Sequence, residues 1–125
     1  EALAMGGAGG VPGGANIWPE LFVKMSEPAD GNGLRQIGHI NELVLKLGQI
    51  YNVGPISIPA IIARIKTAVS LLQICADHMA PPLRETTVEQ TQKIASILEE
   101  LGLLGEGSVA NPCHSQSVSD TRAEK

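Results

Sequence analysis

Cys75 and His78 stand three apart in an apolar helical pattern, and Cys113 with His114 supplies a second thiol–imidazole pair, so the chain holds the ligand types of a tetrahedral zinc site. The spacing argues against one. Adjacent ligands such as Cys113 and His114 rarely both reach one ion, and the pattern matches no common finger. Cys75 also falls in the apolar register of its helix, where a small hydrophobe is the ordinary occupant. No metal and no other cofactor is expected. One cysteine inside a helix and one in a polar tail read as free thiols of a reducing, intracellular compartment.

Acid–base and nucleophilic chemistry find equally little. Ser57, Ser70 and Cys75 are possible nucleophiles, but no base is placed by spacing to activate them. Gly-x-Ser-x-Gly and His-Glu-x-x-His are both missing. The glycine tract at 6–14 lacks the preceding strand and the following helix with Lys-Ser/Thr that a phosphate cradle requires. Glu99 and Glu100 fall on an outer helical face as a solvated pair, and His39 sits on a polar side with Arg35, Glu42 and Lys46. No catalytic residue is nominated, and the chain is expected not to be an enzyme.

Composition limits the binding classes. The chain has 125 residues, nine basic and thirteen acidic side chains, and only one Trp, one Tyr and one Phe. Base stacking needs aromatics and phosphate binding needs surplus cations. Between 34 and 104, Arg35, Lys46, Arg64, Lys66, Arg84 and Lys93 are matched by Glu42, Asp77, Glu85, Glu89, Glu99 and Glu100. A neutral core argues against nucleic acid bound through these helices. The most apolar stretch, Ile56 to Ala80, carries Arg64, Lys66 and Asp77, which exclude a membrane span.

The elements that must position any site are helical. Gly and Pro punctuate the chain into three longer patterns, about 34–52, 57–80 and 87–102, preceded by a short helix over 17–25 that holds Trp18 and Phe22. Ser57 is expected to cap the second pattern with Pro59 in its first turn, Pro81-Pro82 to end it, and Thr86 with Glu89 to form a capping box for the third. The fold class is therefore all-α, a small bundle of three main helices plus the short N-terminal one. It divides into a flexible Gly-rich arm over 1–16, a helical domain over 17–104 and a disordered tail over 105–125. Glu1 in place of Met reads as a processed product or an excised piece.

Wheel arithmetic at about 100° per residue assigns the second helix a main apolar face of Ile58, Ile61, Ile62, Ile65, Val69, Leu72 and Ala76, expected to face the core. Leu71 and Ile74 fall outside it, among Arg64, Thr67 and Ser70. On the first helix Leu34, Gly38, Asn41, Leu45, Gly48 and Asn52 form a second seam opposite the main stripe. Leftover aliphatics beside small residues are how helical proteins present an interface. The function expected is a non-catalytic protein–protein interaction or self-assembly module, part of a larger protein or complex such as a structural assembly. Its partner is a second copy or another protein, with Leu34, Leu45, Leu71 and Ile74 expected to be buried there and Trp18 and Phe22 either anchoring that contact or folding back to plug the chain's own core. The alternative is a small regulatory helical protein associated with DNA or RNA through a basic arm outside these residues.

Overall fold

The computed structural model describes residues 8–26 and 33–105, with the backbone alone for 33–36. Among the described residues the fold is all-helical, with no strand. A 3₁₀ turn at Gly13–Asn16 leads into α1 (Pro19–Ser26); α2 (Gly33–Gly48) tightens into a second 3₁₀ turn at Gln49–Asn52; α3 (Ile58–Leu71) and α4 (Val88–Glu100) complete the unit. The tail over 106–125, with Cys113 and His114, and the Leu34 side chain lie outside the described residues.

Local chemistry sets the helix starts. The Ser57 hydroxyl accepts from the Ala60 N–H at 3.3 Å, and Pro59 sits where its missing N–H is not needed. The capping box of α4 is Thr87 with Gln90, one residue later than the expected Thr86–Glu89 pair. Thr86 is committed elsewhere: its hydroxyl lies 2.8 Å from Thr67 Oγ1 and 3.1 Å from Thr91 Oγ1.

The helix expected over 57–80 stops at Leu71. Gln73 turns into the left-handed region at φ 60°, its N–H donates to Ser70 O, and the Ile74 N–H donates to Val69 O. This is a Schellman closure with Gln where Gly is usual. The segment beyond folds back on α3, where the Lys66 ammonium donates to the His78 carbonyl. α4 ends in the same motif with Gly102 at φ 70°, Gly102 N–H to Glu99 O and Leu103 N–H to Leu98 O.

The core gathers Ile17 and Leu21 from around α1, Ile40 and Leu47 from α2, Ile50 from the second 3₁₀ turn, and Ile94, Ala95 and Leu98 from α4. Gly13–Asn16, expected to belong to a flexible arm, is instead packed: Gly14 is buried, and a Cβ there would lie 2.9 Å from Phe22 Cζ. Among the described residues of that arm, Ala8–Pro12 has no regular structure and is largely exposed.

α3 buries only part of its hydrophobic pattern and, beside it, a side of small and polar residues. The residues it buries are Ala63, Arg64, Thr67 and Ala68. Of the apolar stripe expected to face the core, Ile65, Val69 and Leu72 are half-buried against it and Ile61 is half-buried, whereas Ile58 is 76% and Ile62 44% exposed.

Candidate interaction face

The buried side of α3 holds two polar side chains whose partners lie inside. Arg64, 1% exposed, spans the turn between α2 and α3, its Nη1 donating to Tyr51 O at 2.6 Å and its Nη2 to Pro55 O at 2.5 Å. Carbonyl oxygens replace the carboxylate that a buried guanidinium ordinarily takes. Gly54, at φ 93°, lets the chain pass so close that a Cβ would stand 2.5 Å from Gln90 Nε2 and 3.3 Å from Arg64 Nη2. Thr67 is buried and hydrogen-bonded to Thr86. Among the described residues no buried side-chain nitrogen or oxygen lacks a partner. With Arg64 and Thr67 fixed inward, Ile58 and Ile62 at the start of α3 turn out.

That outer face starts at Ile56 in the loop, also exposed, continues through Ile58 and Ile62, and ends at Ile65, which is half-buried against the core. The first 3₁₀ turn borders it, since a Cβ on Gly13 would lie 3.0 Å from Ile65 Cδ1 and 3.4 Å from Tyr51 Oη. Burial raises the Tyr51 hydroxyl pKa above the usual tyrosine value, opposed by a hydrogen bond with the Gly14 backbone.

The structure separates the residues nominated from sequence. Leu45 is 65% and Ile74 66% exposed, while Leu71 is half-buried against the core. Trp18 and Phe22 are partly buried against the core of their own chain. Gly38 and Gly48, on the seam with Leu45, face open space. Leu71 and Leu72 meet Leu103 and Leu104 across a shallow hollow of about 190 Å³ where α3 and α4 end. Cys75, expected inside an apolar helix, is an exposed free thiol because α3 has already ended. Among the described residues no three His, Cys, Asp or Glu side chains converge as a metal site.

Sequence reasoning missed Ile56, Ile58 and Ile62 as surface residues. A signal was present: the side of α3 opposite the isoleucines holds Ala63, Arg64, Thr67 and Ala68, small or hydrogen-bonding residues without a carboxylate. Such a face can be buried once its donors find acceptors.

The described residues thus form an all-helical unit with an exposed aliphatic face, and none of its helices is long and apolar enough to cross a membrane. No family model matches the chain, and no solved structure matches it. Its sequence is similar to the 4-hydroxy-tetrahydrodipicolinate synthase of Methanopyrus kandleri, with 30% identity over 105 residues that make up 84% of this chain. Those residues cover 33% of the synthase, so the chain spans about a third of the length of this relative.

Proposed function

We propose that the chain is the helical, non-catalytic portion of an enzyme of the kind it resembles, and that it acts by packing onto the remainder of that enzyme. The observation that carries this reading is the similarity itself, which takes in most of this chain and a third of the synthase. Exposed aliphatics on α2 and α3 support it, because a surface of that kind marks a protein contact. The free Cys75 thiol accords with an intracellular setting.

Self-association is the second reading, favoured by the exposure of Leu45 beside Gly38 and Gly48. A DNA- or RNA-associated role has less behind it. On α4 the single cation, Lys93, is held by Glu89 at 2.7 Å, with Glu99 and Glu100 on the same helix.

The test replaces the matched third of the Methanopyrus synthase with residues 1–125. Formation of 4-hydroxy-tetrahydrodipicolinate within about tenfold of the parent synthase, and none by the chain alone, is the expected result. A folded chimera without product would show that the replaced third supplied catalytic groups this chain lacks.

A further inference from the structure

We infer that the isoleucine face at the start of α3, made by Ile58 and Ile62 with Ile56 leading in, is the seat of the remaining two thirds of a synthase-like polypeptide; this rests on the reading just given. The face is the first turn and a half of the most hydrophobic stripe of its helix, yet the described residues leave it at the surface while burying Arg64 and Thr67. A helix in a complete fold puts its apolar stripe against another element. Here the inward position is already taken, so the covering element comes from outside residues 8–105.

Two observations identify it. The exposed segment Ala8–Pro12 joins the packed unit at Gly13, which lies against Ile65 at the edge of this face, so polypeptide ahead of the turn is delivered beside it. The relative has twice as much sequence again outside the matched region to supply a cover. Charge disfavours a second copy. Residues 53–76 contain no carboxylate, and Lys66 flanks the face, so pairing two such faces brings cations together with no anion between them.

The experiment uses the full chain, alone and in the chimera described above, each with and without the double substitution Ile58→Asp/Ile62→Asp. Thermal unfolding and product formation are read in all four. In the chain alone the midpoint is expected to move by no more than about 2 °C, since both side chains already meet water. In the chimera it is expected to fall by roughly 10 °C or more, with loss of product. A Leu98→Asp control should unfold both. A double variant that leaves the chimera stable and active overturns this inference and leaves the proposed function standing. A variant that unfolds the chain alone makes the face part of its own core, and a wild-type dimer that the variant dissociates makes a second copy the occupant; either overturns the inference. A wild-type chimera that does not fold or forms no product contradicts the proposed function, and the inference with it.

Discussion

Arg64 decides the fold at the scale of single residues. A guanidinium inside a small core is tolerable only if its donors are met, and Tyr51 O and Pro55 O meet them. Arg64→Leu is expected to cost about 2–4 kcal/mol in urea unfolding, because two carbonyls lose a charged donor. Arg64→Lys should recover less than half of that, since one ammonium does not span both oxygens as the fork does. Tyr51 gives a pH prediction. Its pKa is raised in the folded chain by burial, so its contribution is complete below the unfolded value of about 10 and is lost as pH rises through the folded value. The unfolding midpoint should fall above about pH 10, and Tyr51→Phe should reduce that fall. None of this was legible in residue types alone. Arg64 reads as a solvated cation until the turn at Gly54 brings two carbonyls to it.

At the scale of elements, helix starts were easier to read than helix ends. Ser57 and Pro59 act locally, so their roles followed from spacing. The α4 cap shifted by one residue because Thr86 is drawn into contact with Thr67 on a different helix. The end of α3 was misplaced by nine residues between Leu71 and Ala80 for a related reason. No Gly or Pro marks it, and the Schellman closure uses Gln73, whose type carries no stop signal. Gln73→Gly is expected to stabilise the chain by roughly 0.5–1 kcal/mol, since Gly takes positive φ without the Cβ penalty. Thr87→Ala should cost about 1 kcal/mol through loss of the capping box. Both are measurable as shifts in denaturant midpoint at constant slope.

At the scale of the whole molecule, periodicity correctly gave an all-helical unit and the packing of Ile65, Val69 and Leu72 against the core, but not the exposure of Ile58 and Ile62 at the start of α3. Hydrophobic pattern reports which face seeks burial in the complete assembly, whereas the described residues can bury only what their own neighbours cover. Leu45 was legible as an uncovered position because α2 has a second stripe; Ile58 and Ile62 were not, because theirs is the main stripe. Leaving large aliphatics in water forgoes roughly 1.5–3 kcal/mol for each side chain that full burial would provide. The chain alone should therefore be of modest stability, a few kcal/mol, in equilibrium unfolding. Covering the isoleucine face is the central claim, and hydroxyl-radical footprinting reads it directly. In the chain alone Ile58 and Ile62 should react readily while Leu98 is protected; in the chimera both isoleucines should be protected by about fivefold or more. Equal reactivity of Ile58 and Ile62 in the two proteins would contradict the account.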